Sequence, residues 1–292
     1  FTNRGAHLVS LRVKGMNGAA GSPGGELELV APRQESPLPF SLLGPGGEPL
    51  AANAALFVTA RESTKEGERL RFQYRDALGE VAKSFLLGPD GRMEIVIAAP
   101  AVPGFNLLLG PGLRARTVEE LASRFELRRA VWSVAGEVET HDPAKANEVL
   151  ELAGETLNWV GLEDTYFLTA VVPLQPVAKA RFRPVLLTPA GEPRTFDNKP
   201  VPPPPGEIAA TDKDLPRDFV LELQAREGRI EATSYWGSKQ LDRLTAMPYG
   251  LDKTVQLGMF GFLARPLLYS LQWIYANVVA NYGWAIVLLT VV

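Results

Sequence analysis

RLRFQYRDALGEVAKSFLLGPDGRMEIVIA, residues 69–98, decides the fold class. Leu70, Phe72 and Tyr74 alternate with Arg69, Arg71, Gln73 and Arg75. Successive side chains of a strand point to opposite faces, so this segment reads as sheet with one face in a core and one in water. Val81–Leu87 and Met93–Ala98 follow as two further strand-like runs. Gly88-Pro89-Asp90-Gly91 separates them, and its glycines and aspartate suit a tight reversal.

The same period extends in both directions. Upstream, Val9, Leu11 and Val13 alternate with Ser10, Arg12 and Lys14. Downstream, Phe219, Leu221 and Leu223 alternate with Val220, Glu222 and Gln224, and Ile230 and Ala232 with Glu231 and Thr233. Glu227-Gly228 supplies a turn between these last two runs, and Pro189-Ala190-Gly191-Glu192 follows Val185–Leu187. Gly44-Pro45-Gly46-Gly47 and Gly110-Pro111-Gly112 also read as turns, because their prolines remove N–H groups that a phosphate would need. The fold class expected is mainly β, a large antiparallel sandwich over residues 1–236. DPAKANEVLELA, residues 142–153, is expected to add one short helix started by Asp142 and Pro143. PVPPPPG, residues 200–206, lacks the donors for a central strand and reads as an exposed polyproline loop.

Composition narrows the function. The 292 residues carry 30 basic and 33 acidic groups, a net charge of -3, with no basic stripe of the kind nucleic acid requires. With no cysteine, disulfides, thiolate metal sites and cysteine nucleophiles are excluded. Phe1 opens inside a strand-like pattern without a charged leader, so the natural start is expected upstream.

After residue 236 the period changes. Leu241, Leu244 and Met247 are spaced for one helical face, Gly250 suits a helix stop, and Asp252 is placed to cap another turn, giving a short helical connector over 237–258. MFGFLARPLLYSLQWIYANVVANYGWAIVLLTVV, residues 259–292, then holds a single charge, Arg265. Pro266 is taken as a first-turn proline, with a helix over Leu267–Ala280. On a wheel Arg265, Tyr269, Gln272 and Ala276 form a narrow stripe, while Leu267, Leu268, Leu271, Ile274, Val278 and Val279 cover much of the rest. A buried core helix and an interfacial helix anchored by Tyr269, Trp273 and Tyr275 both fit this pattern; the apolar run downstream favours the second. Tyr282-Gly283-Trp284 marks the break. Residues 284–292 rise only about 13 Å against a bilayer core of about 30 Å, so they read as the start of a transmembrane helix cut short. The expected membrane-interface residues are Arg265, Leu267, Leu268, Tyr269, Leu271, Trp273, Ile274, Tyr275 and Trp284.

The search for chemistry finds little. His7 and His141 are far apart, and no metal-ligand spacing, nucleophile elbow or phosphate loop occurs. Glu163-Asp164, Glu119-Glu120 and His141-Asp142 are the carboxylate candidates, but neighbours on a strand face opposite ways and read as surface or turn residues. LNWVGLEDTYFLTAVVP, residues 157–173, is expected to be a buried aromatic strand pair, with a sugar-stacking platform around Trp159 as the alternative.

Four segments carry a resemblance. FTNRGAHLVSLRVKG (Phe1–Gly15), LNWVGLEDTYFLTAVVP, SYWGSKQLDRL (Ser234–Leu244) and the block Gly250–Val292 resemble, in order and spacing, the periplasmic domain and second membrane helix of the YidC branch of the Oxa-type membrane protein insertases. Ala6 stands where that pattern has its second glycine, and Ser238 where proline is usual. The resemblance implies a β-super-sandwich similar to sugar-mutarotase folds, followed by short helices. The helix matching roughly Phe262–Ala280 is implied to lie along the outer face of the bacterial inner membrane. Implied partners are membrane lipid, nascent membrane proteins, SecDF and other Sec translocon components; no cofactor, catalytic group or metal is implied. The family's groove arginine corresponds to a position beyond Val292, so this chain is expected to position helices and bind partners rather than insert proteins alone. The competing reading is a carbohydrate-binding or mutarotase-like sandwich using Glu163, Asp164 or His141.

Overall fold

The computed structural model describes residues 1–17, 26–30, 37–77, 79–88, 90–110, 113, 127–143, 148–186, 217–255 and 261–291. It divides into two units, Phe1–Gln240 and Leu241–Val292. The strands described in the first unit are β1 Arg12–Asn17, β2 Glu26–Glu28, β3 Leu42–Leu43, β4 Val58–Ser63, β5 Glu68–Asp76, β6 Gly79–Leu87, β7 Arg92–Ala98 and β8 Asn106–Leu109. They continue with β9 Arg128–Val134, β10 Glu137–His141, β11 Leu150–Ala153, β12 Leu157–Asp164, β13 Phe167–Pro173, β14 Lys179–Leu186, β15 Arg217–Gln224 and β16 Arg229–Ser238.

Fourteen of these strands form two large antiparallel sheets, and β1 and β2 pair as a separate two-stranded one. The nine-stranded sheet runs β10-β9-β12-β13-β16-β7-β6-β5-β4, and the five-stranded sheet runs β11-β14-β15-β8-β3. Their facing sides make one core. Phe72, Phe85, Ile95, Trp132 and Val160 of the large sheet are buried with Leu107, Phe182, Phe219 and Leu221 of the small one. Trp132 and Phe182 meet across the sheets with ring centroids 5.8 Å apart. The period-two reading thus yields the fold class it predicts. In β5 the inward Phe72 is buried while the outward Arg71, Gln73 and Arg75 are exposed.

The turns follow the same chemistry. Glu227 and Gly228 between β15 and β16 both have positive φ, 55° and 73°, the backbone that a two-residue hairpin turn demands. Gly5 has φ 70°, and a Cβ there would meet Asn53 O at 2.3 Å. Ala6, in place of the second glycine, is held at φ 49° and fully buried, a strained setting for a residue with a Cβ.

Four expectations need correction. Residues 150–153 are not helical: they form β11, pairing Leu150 with Phe182 and Ala153 with Lys179. Inward Leu150 and Leu152 pack on the core, so a period-two pattern prevails over local helix signals; 144–147 lie outside the described residues. In the second unit α1 spans Leu241–Thr245, α2 Gly261–Asn277 and α3 Tyr282–Val291. Pro266 therefore lies inside α2 and removes the N–H that would have bonded to the Phe262 carbonyl. The break between α2 and α3 comes at 278–281, with Gly283 already helical. Asp252 sits within the 3-10 turn Leu251–Thr254, whose cap is Gly250 at φ 69°. The polyproline stretch 200–206 lies outside the described residues.

Candidate functional site

The residues suspected of chemistry are occupied by structural work. Trp159 is only 1% exposed, so it offers no stacking platform to a sugar. Asp164 Oδ1 accepts from the N–H groups of Tyr166 and Phe167, both at 2.7 Å; it closes the β12–β13 turn. Glu163, on the opposite face of β12, is buried and accepts from Arg129 Nε at 2.8 Å and Lys239 Nζ at 2.7 Å. Adjacent carboxylates on one strand have parted to different duties, as alternation requires. His141 is half-buried, its ring 6.0 Å from that of Phe219. Glu119 and Glu120 lie outside the described residues. Among the described residues no three His, Asp or Glu side chains are grouped as metal ligands would be.

Sequence reasoning missed a buried polar cluster. Lys83 is 2% exposed on the inward face of β6, between Val81 and Phe85. Its Nζ donates to Gly5 O at 2.7 Å and Phe40 O at 2.6 Å. Burial lowers its pKa from 10.5 to about 7. A neutral amine has two N–H donors, and the two carbonyls take both. His7 beside it is pushed down from 6.5 to about 4, first by burial and then by the Lys83 charge, against an opposing hydrogen bond with Asn53. Ser41 Oγ lies 3.4 Å from His7 Nε2, but its proton goes to Leu38 O at 2.7 Å. The pair is therefore not arranged for nucleophilic attack. The cluster fastens the N-terminal segment and the 38–41 turn to β6. Its signal was available: a lysine at an inward position of an alternating strand must find partners or lose its charge.

A cleft of about 70 Å³ is lined by Leu50, Tyr74, Val81, Ala99 and Val102. It is far below the roughly 300 Å³ at which small-molecule pockets begin. Asp76 at its rim is engaged by Tyr74 Oη at 3.0 Å and by the Gly79 N–H at 3.1 Å.

The second unit is different in kind. Trp273 is 62% and Trp284 64% exposed, and Leu267, Tyr269, Tyr275, Tyr282, Ile286, Val287 and Leu288 are exposed with them. Leu271 and Ile274 are half-buried. The side chains of Arg265 and Leu268 lie outside those described. Thus of the expected interface residues, Leu267, Tyr269, Trp273, Tyr275 and Trp284 form an exposed apolar and aromatic surface on α2 and α3. Soluble proteins rarely expose contiguous apolar area on this scale without a purpose. The 17 residues of α2 and 10 of α3 give lengths of about 26 and 15 Å. No described helix is long and apolar enough to cross a membrane.

Comparison with known proteins settles the lineage: residues 1–270 match the YidC periplasmic domain family. The chain belongs to that family. Relatives named membrane protein insertase YidC include one from Geobacter metallireducens, 27% identical over all of this chain and 52% of the relative. Another, from an Anaeromyxobacter strain, is 26% identical over 91% of this chain and 47% of its own length. One from Thioalkalivibrio sulfidiphilus is 33% identical over 48% of this chain and 23% of the relative. The chain spans about half the length, or less, of these curated relatives.

Proposed function

We propose that this chain is the periplasmic part of a YidC-type insertase of the bacterial inner membrane, non-enzymatic, and that it positions membrane helices and offers a surface to partners. The α2 helix lies in the lipid interface, and α3 enters the hydrocarbon. The one observation that carries this reading is the exposed apolar and aromatic surface of 267–288, in a stretch where Arg265 is the only charge from Met259 to Val292. Water penalises such a surface, and lipid does not: each Å² moved out of water is worth about 25 cal/mol. Aromatic side chains favour the headgroup level, and four surround the junction between α2 and α3: Trp273, Tyr275, Tyr282 and Trp284. Membrane lipid is then the first partner. Nascent membrane proteins, SecDF and other Sec translocon components are the further partners that family membership supports.

Flotation with anionic liposomes tests the reading. The full chain is expected to rise with the vesicles, and a chain deleted from Gly258 onward is expected to stay behind. Equal flotation of the deleted form overturns the interfacial placement.

A further inference from the structure

Only residues 278–281 separate α2 from α3, and a linker so short can still swing freely unless its groups are tied. Here three of its four N–H groups are tied. Val278 N–H and Val279 N–H both reach Ile274 O, at 2.9 and 3.0 Å, and Asn281 N–H closes a tight turn on Val279 O at 2.7 Å. Asn277 Nδ2 donates to Trp273 O at 2.9 Å, folding its side chain back onto the last turn of α2. Asn281 Oδ1 then accepts from Gly283 N at 2.8 Å and Trp284 N at 3.3 Å, an N-cap for α3. Across these links the Tyr275 and Tyr282 rings stack with centroids 4.0 Å apart and planes at 9°. One ring belongs to the last turns of α2 and the other opens α3. Ala285, one turn further, is completely buried although Trp284 and Ile286 on either side are exposed.

We propose that Tyr275, Asn281, Tyr282 and Ala285 act as positioning residues that clamp the elbow between α2 and α3, so that the two helices hold one angle and move as one body. The stack supplies the contact, the asparagine supplies the cap, and the alanine leaves room for the close approach. The role in a membrane rests on the interfacial placement above, but the clamp itself does not. Its parts are neutral and local, so its angle is independent of salt.

The chain contains no cysteine, so Ser270→Cys with Leu288→Cys gives a uniquely labelled pair for spin-echo distance measurement in the full chain. In lipid bicelles the unmodified elbow is expected to give one narrow distance distribution. Tyr275→Ala combined with Asn281→Ala is expected to broaden it at least twofold, Ala285→Trp to shift its centre, and Tyr275→Phe to restore the narrow form. In the same samples oxygen accessibility of the label at 288 is expected to spread over several depths only in the broadened variants, with flotation unchanged. A distribution already broad without substitution, or one left unchanged by the double alanine variant, overturns the clamp. Loss of flotation with a distribution that stays narrow overturns the membrane placement and leaves the clamp standing.

Discussion

The two units handle the same apolar side chains in opposite ways. In the sandwich Phe85 is fully buried, 4.4 Å from the Phe1 ring and 4.8 Å from Phe40 by centroid. In the helical unit Trp273 and Trp284 lie largely open. The contrast teaches that hydrophobicity alone does not define a core. The central strands of the sandwich have a second sheet to cover their inward faces, although edge strand β4 is exposed throughout, whereas the apolar residues of α2 and α3 run round the helix and leave exposed whatever one neighbour cannot hide. The proposed placement of α2 and α3 in lipid gives each unit its own solvent.

The largest expected effect compares one residue from each side. Phe85→Ala removes a ring from a packed cluster and is expected to cost about 3–5 kcal/mol of sandwich stability, read from denaturant unfolding. Trp273→Ala is expected to leave the same transition within about 0.5 kcal/mol while weakening liposome binding. If Trp273→Ala destabilises the sandwich as Phe85→Ala does, its ring is core and the contrast fails.

Acidity separates the units next. Lys83 is depressed to about 7 and His7 to about 4, so the folded state binds fewer protons than the unfolded one between each value and the ordinary one. Stability then rises with pH in both windows, from about 4 to 6.5 for His7 and from about 7 to 10.5 for Lys83. It is lost as pH falls back through them, with a slope of at most about 1.4 kcal/mol per pH unit for each proton. The charged groups facing Lys83 are few: the His7 ring is near, Gly5 and Phe40 present carbonyls, and Phe57 presents its ring at 5.7 Å. Lys83→Met is expected to flatten the upper window in unfolding experiments across pH. Residues 261–291 hold no carboxylate, lysine or histidine, so flotation on neutral vesicles should stay level from pH 5 to pH 9. A flat stability profile in the parent chain would show that Lys83 is not desolvated.

How much of this was legible in the sequence depends on how local the cause is. Alternation within β5 and the Glu227-Gly228 turn are set by residues a few positions apart, and both appear in the fold as read. Asp164 was recognised inside a family motif, but its task as a turn cap follows only from two N–H groups converging on one oxygen. The identity of β11 was not legible, because its partner β14 is distant in sequence and supplies both the ladder and the ion pairs of Glu151 with Lys179 and Arg181. The start of α2 is not legible from Pro266, which suits a first turn but lies inside the helix, because a longer helix can absorb one missing N–H. The greasy surface of α2 and α3 was legible as composition. Which helix carries it, and where the elbow falls, were decided by Asn281 and the tyrosine stack.

The smallest effect concerns two hydroxyls. Ser238, standing where the family pattern has proline, is buried, and its Oγ has no hydrogen-bond partner. Its backbone carbonyl is well used, accepting from Tyr235 Oη at 2.7 Å, so the defect lies in the side chain alone. An unmet buried hydroxyl costs about 1 kcal/mol or more, and Ser238→Ala is expected to raise sandwich stability by about 1 kcal/mol in denaturant unfolding. Thr290 in α3 is exposed and donates to Val287 O at 2.8 Å within its own helix, so under the proposed lipid placement its hydroxyl is already met. A helix facing hydrocarbon must satisfy its polar groups locally, whereas a strand in a large core can leave one stranded because neighbouring burial offsets it. Thr290→Val is therefore expected to strengthen vesicle binding slightly without moving the unfolding transition. Should Ser238→Ala lower stability instead, the hydroxyl has a water partner, and both units satisfy their hydroxyls.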